Sequence, residues 1–186
     1  MRKALLIISA LSLSLSLSGD AHAVQYHFSG AACRPEQSSD ATYALTNGAG
    51  ISNTDGRAFA PLINVVCPVV GMETSTQRQT ELRARLWDGN GPLAIGGFWQ
   101  IDHIGTGTIW WSSIKYACSA STGCSSNTGY TGGGYVIWTG SELLPYTASS
   151  FLTYSFRAMI PGRCYDDQAC YSQSWVQAYW TTHDER

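Results

Sequence analysis

Charge is scarce in this sequence, lysine most of all. Charged side chains make up 13% of the 186 residues, about half the share usual in globular domains. The chain has two lysines, Lys3 and Lys115. No basic stripe can be drawn, which argues against a nucleic-acid binder that tracks phosphates. A polybasic patch for anionic lipid is missing too. Helical patterning is absent: beyond the first 23 residues, no window of helical length has apolar residues at i, i+3, i+4 and i+7. After the first apolar run no second one reaches spanning length, so no membrane span is expected. Catalytic signatures are missing as well. The sequence contains no G-x-S-x-G elbow, no H-E-x-x-H pair and no glycine-rich phosphate loop. No cofactor and no metal are expected.

What is present begins with a leader. Met1-Arg2-Lys3 is a short basic start, Ala4 to Leu17 is apolar with interleaved serines, and Ala21-His22-Ala23 has the small-x-small form of a cleavage site. This pattern predicts a secretory signal peptide over 1–23, too short and too serine-rich to span a bilayer. The remaining 24–186 suits a single domain able to bury its own core. Without Arg2, Lys3 and Asp20 it carries nine basic and twelve acidic side chains. The expected location is secreted, either periplasmic or extracellular. Gly30-Ala31-Ala32-Cys33 faintly resembles a lipoprotein box. The apolar core of the leader ends well upstream of it, however, so Cys33 reads as half of a disulfide.

All six cysteines lie beyond the leader: Cys33, Cys67, Cys118, Cys124, Cys164 and Cys170. An even count behind a signal peptide points to disulfides, since an oxidising compartment preserves them. Cys118–Cys124 and Cys164–Cys170 share one short spacing and read as local rings. That leaves Cys33–Cys67 as the long staple. A zinc site is the alternative, but C-x-x-C spacing and neighbouring histidines are both lacking.

Strand signals run through the rest. Leu82, Ala84 and Leu86 alternate with Glu81, Arg83 and Arg85. Leu152, Tyr154, Phe156, Ala158 and Ile160 alternate with Thr153, Ser155 and Arg157. Such alternation implies one buried and one wet face, as in an antiparallel sheet. Further strands are expected at Val24–Phe28, Ala41–Thr46, Phe59–Val70, Leu93–Asp102, Thr108–Tyr116, Gly134–Trp138 and Ser174–Thr181. Asp88-Gly89-Asn90-Gly91 and Asn53-Thr54-Asp55-Gly56 read as turns. Roughly nine short strands with polar turns predict an all-β fold, a single antiparallel β-sandwich of jelly-roll or Ig-like type stapled by disulfides.

Cys33, Tyr43, Gly50-Ile51-Ser52-Asn53 and Val65-Val66-Cys67-Pro68-Val69 together resemble the opening of a type of small secreted bacterial β protein of uncharacterised function. Phe156-Arg157-Ala158-Met159-Ile160-Pro161 resembles a later strand of that type, with Ala158 where such chains commonly carry a cysteine. The resemblance implies a sandwich and a Cys33–Cys67 bridge. It implies no established activity.

Catalytic constellations are thin. Asp102 and His103 are neighbours and point to opposite faces of a strand, so Ser112 or Ser113 completes a triad only if a turn intervenes. Glu36, Glu73, Glu81, Glu142 and Glu185 include no two carboxylates on one element, although a glycosidase pair assembled from distant residues remains an alternative. Asp55, Asp88 and Asp166-Asp167 suit turn chemistry as well as calcium. The feature most above background is aromatic: seven tryptophans and ten tyrosines. Of Trp110 and Trp111, one should face in and one out. Trp138 and Trp180 read as core. In Trp175–Trp180, alternation sets Trp175, Gln177 and Tyr179 on one face and Val176, Ala178 and Trp180 on the other, with Trp175 and Tyr179 about 13 Å apart. Two rings with an amide between them suit a sugar face, and Tyr and Trp also suit protein contact. The competing expectation is that this face is covered and is simply more core. The reading is therefore a secreted, non-catalytic β-sandwich protein whose partner is a glycan or a surface protein. A small secreted hydrolase and a structural envelope protein are the alternatives.

Overall fold

The computed structural model describes residues 23–57, 61–69, 77–89, 94–118, 128–131, 134–139, 152–164 and 172–185. Two sheets built from alternating strands face each other across one apolar cluster. The first sheet runs β11 (Gly134–Thr139), β6 (Gln77–Trp87), β13 (Trp175–Glu185), β4 (Gly50–Asn53) and β3 (Ala44–Asn47). β1 (Ala23–Ser29) shares with β4 the edge of β13 that faces away from β6. The second sheet runs β10 (Thr128–Thr131), β9 (Lys115–Cys118), β7 (Ile95–His103), β12 (Leu152–Ile160), β5 (Ile63–Pro68) and β2 (Arg34–Pro35). β8 (Thr108–Trp111) pairs with β7 beyond the end of β9. All pairings are antiparallel except β10 with β9. The fold is all-β, and helix is confined to the 3-10 turns Gly30–Ala32 and Ser38–Thr42 among the described residues.

The alternation predicted along β6 and β12 is what the sheets bury. Leu82, Ala84 and Leu86 from the first sheet meet Leu152, Tyr154, Phe156, Ala158 and Ile160 from the second. Val65, Trp99, Ile101, Val176 and Tyr179 complete the cluster. At its centre Tyr179 stacks on Phe28 at 5.2 Å and on Phe156 at 6.0 Å, and meets Trp99 edge-on at 6.3 Å. Such aromatic pairs contribute about 0.5–1.5 kcal/mol each beyond burial. Cys33 and Cys67 form the predicted disulfide, buried against this core. Cys164 is disulfide-bonded; Cys170 lies outside the described residues, as do Cys124, the proposed leader over 1–22 and Asp166-Asp167.

Two expected strands are modified. Thr108–Tyr116 is interrupted at 112–114, where Ser112 substitutes for the regular ladder. Its backbone N–H donates to Trp99 O at 2.9 Å, and its Oγ accepts from Trp99 N at 2.8 Å. In the Ala41–Thr46 run, the 3-10 turn takes the first residues and the strand starts at Ala44.

β13 departs from strict alternation, and this corrects the predicted faces. Against β6, Val176 pairs with Leu86 and Ala178 with Arg85, leaving Gln177 as a β-bulge. One extra residue reverses the facing of everything after it. Val176 and Tyr179 therefore both point into the core, and Tyr179 is fully buried. Trp180 turns to the outer face, where it lies beneath the His27 ring at 5.3 Å and the Arg83 guanidinium at 5.9 Å. The bulge sits where the partner of β13 changes from β4 to β1. Gly30 and Gly50 flank this junction; a Cβ on either would fall 2.0 Å from Val176 O, and Gly50 also has φ +125°. Only glycine fits both demands at Gly50.

Candidate functional site on the outer face of the second sheet

Of the three residues expected to touch a ligand, Trp175 and Gln177 are half-buried on β13, and Tyr179 is core. Tyr179 Oη donates to Pro68 O at 2.6 Å, tying the first sheet to β5, and burial pushes its phenol up to about 12. It is a packing residue. Trp175 lies opposite Trp87 in register, and Trp87 is 46% exposed, so one pair of indoles marks the outer face of the first sheet.

The second sheet brings together more chemistry. Trp99 and Ile101 of β7 enter the core, so Phe98, Gln100 and Asp102 lie on the opposite face. β8 places Trp111 directly opposite Gln100 and Ile109 opposite Asp102. On the other side of β7, β12 places Arg157 opposite Phe98. Trp110 packs against the core while Trp111 is 52% exposed, the in-and-out split predicted for the pair.

The contacts follow from this register. Phe98 meets the Trp111 ring at 5.5 Å, and the Arg157 guanidinium lies 5.4 Å from the same ring centre. Glu36 accepts a hydrogen bond from Arg157 Nη1. Glu36 is held there because its backbone N–H donates to Asn64 O at 2.8 Å, just past β2. The Cys33–Cys67 bridge ties the residue just before β2 to β5. Gln100 Nε2 donates to both oxygens of Asp102, at 2.7 and 2.9 Å. Gln100 is only 8% exposed, yet its Oε1 accepts no hydrogen bond among the described residues. Arg157 Nε is likewise buried without an acceptor. A buried unpaired polar atom costs roughly 1–3 kcal/mol, and both of these belong to residues on the face that carries Trp111. Sequence reasoning missed Gln100 and weighed Asp102 only as a partner of His103. Their i, i+2 spacing was visible, but only the pairing of β7 with β8 sets Trp111 over them.

The catalytic candidates are not brought together. Asp102 and His103 face opposite ways, and His103 Nδ1 accepts from Thr106 N at 3.0 Å in the turn to β8. Ser112 Oγ donates to Ser113 O at 3.1 Å and accepts from Trp99 N, which commits it to the backbone. Glu81 is paired with Arg83, and the Asp88 carboxylate accepts from Ser174 Oγ at 3.0 Å. Arg57 holds the Asp55 carboxyl below its ordinary range by a two-pronged contact. Among the described residues no three His, Cys, Asp or Glu side chains cluster as metal ligands. A scan against protein-family models and a search of curated proteins both find no match for the chain.

Proposed function

We propose that this protein is an exported, non-catalytic binding module that holds a saccharide on the outer face of its second sheet. The observation that carries the reading is the half-exposed Trp111 ring beside the buried, unpaired acceptor of Gln100. A sugar ring stacks its C–H face on an indole while its hydroxyls satisfy amides and guanidinium groups, which is the combination found here. The buried Cys33–Cys67 disulfide supports an oxidising compartment, and the leader pattern supports export. The test is affinity electrophoresis through gels containing neutral polysaccharides. Trp111→Ala should abolish retardation while shifting the melting temperature little, because one stacked ring is worth on the order of 1–3 kcal/mol of contact by analogy with bases. Wild type that runs unretarded in every gel defeats the reading.

A second reading has one observation behind it. Ile104, Ile109 and Ile114 are 55%, 49% and 38% exposed around the same hairpin. An apolar rim of this kind suits a protein surface. If Ile109→Ser removes binding to a protein partner and leaves sugar binding untouched, the rim serves a separate contact.

A further inference from the structure

We infer that the Trp111 surface selects uncharged, hydroxyl-rich saccharides over anionic ones, because Asp102 sets an unbalanced negative charge on that face and engages the Gln100 amide by its NH2 end. This rests on the reading of that surface as a saccharide platform. An amide side chain can ordinarily rotate to offer either its NH2 or its oxygen. Here both Asp102 oxygens accept from Gln100 Nε2, so the NH2 end is committed and Oε1 is turned away from Asp102. Oε1 is an acceptor only, and it lies in a side chain more than nine-tenths buried. It can be satisfied by a hydroxyl or N–H, and never by a carboxylate or sulfate oxygen. Arg157 Nε supplies the complementary demand from the neighbouring strand.

The charges on this face point the same way. The positive charge of Arg157 is already offset by Glu36. The hydrogen-bond donor to Asp102 is the neutral amide of Gln100. Arg34, the other cation of this face among the described residues, lies opposite Val66, which itself lies opposite Arg157, so it is two strands away. An anionic sugar at Trp111 therefore meets Asp102 and a guanidinium whose charge Glu36 already offsets. Specificity here arises from the repulsive element as much as from the attractive one. Asp102 is a positioning residue, acting through Gln100.

The test uses two polymers with the same backbone and different charge, hydroxyethyl cellulose and carboxymethyl cellulose. Galactomannan and polygalacturonate serve as a second neutral and charged pair. Wild type should be retarded at least about tenfold more strongly by the neutral member, the discrimination expected from like charges brought together at the ring. Asp102→Asn should reduce that ratio to about threefold or less, because the amide is released and the negative charge is gone. Gln100→Leu should lose neutral binding while keeping the wild-type melting temperature within a few degrees. Equal or stronger retardation by the charged polymers in wild type overturns the selectivity and leaves the saccharide reading standing. Retardation by none of the four removes both. An Asp102→Asn protein that keeps the full ratio removes the role of Asp102.

Discussion

Replacing Tyr179 tests the reversal of faces along β13. Its ring is fully buried between Phe28, Phe156 and Trp99, and its hydroxyl donates to Pro68 O at 2.6 Å. Tyr179→Phe keeps the packing and loses one hydrogen bond, at a cost of about 1 kcal/mol. Tyr179→Ala opens a cavity between the sheets, at about 3–5 kcal/mol. For a chain of this size each kilocalorie lowers the melting temperature by about 2–4 °C. The alanine variant should therefore melt about 6–20 °C below wild type, and the phenylalanine variant only a few degrees below. The hydroxyl also gives a pH signature. Burial pushes the Tyr179 phenol up to about 12, whereas an unfolded tyrosine titrates near about 10. The unfolded state then gives up its proton first, so stability is intact below about pH 10 and falls as pH rises toward 12, by about 1–2 kcal/mol. Tyr179→Phe should flatten this alkaline loss. The assay is denaturant unfolding from pH 8 to 11.5 on protein with its disulfides intact. If Tyr179→Ala melts within about 2 °C of wild type, the ring is not in the core and the bulge at Gln177 is misplaced.

Other consequences follow from the same contacts. Replacing both Cys33 and Cys67 by serine should destabilise by roughly 2–5 kcal/mol, since the bridge closes a loop with a sequence separation of 34; it should also weaken glycan retardation, because β2 and Glu36 lose their anchor. Gly50→Ala should fail to give soluble protein or should melt far lower, as φ +125° and the close Val176 carbonyl both exclude a side chain; an unchanged melt would contradict the junction described for β13. The carboxyl of Asp55 is held low by Arg57, so its contribution is present at neutral pH and fades as pH falls below about 4; Asp55→Asn should remove that part of the acid dependence in a titrated melt.

The strand faces were legible wherever a strand keeps a period of two. β6 and β12 bury the residues their alternation names, and Trp110 and Trp111 divide as neighbours on a strand must. Reasoning from the same rule reversed β13, because a bulge has no mark in local sequence. Its cause is non-local: Gly30 and Gly50 meet Val176 from two different segments. β2, β4 and β10 were missed because two- and four-residue strands carry too little pattern to stand out from a loop. The candidate site was hidden for a related reason. Gln100, Asp102, Trp111, Arg157 and Glu36 come from separate stretches, and only the antiparallel registers of β7 with β8 and β12 bring them together. Aromatic content pointed to surface stacking, but which indole stays exposed depends on which strands pair. The Cys33–Cys67 bridge was the long-range contact open to reading, since the short spacings of the other four cysteines left it over.

The most direct test of the account is hydroxyl-radical footprinting of the purified protein with and without a retarding neutral polysaccharide, read by mass spectrometry. Trp111 and Phe98 should lose most of their oxidation when the polymer is present, while Trp87 and Trp175 on the opposite sheet stay as reactive as before. Protection of Trp87 and Trp175 with Trp111 unchanged would place the ligand on the first sheet and contradict the site assigned here.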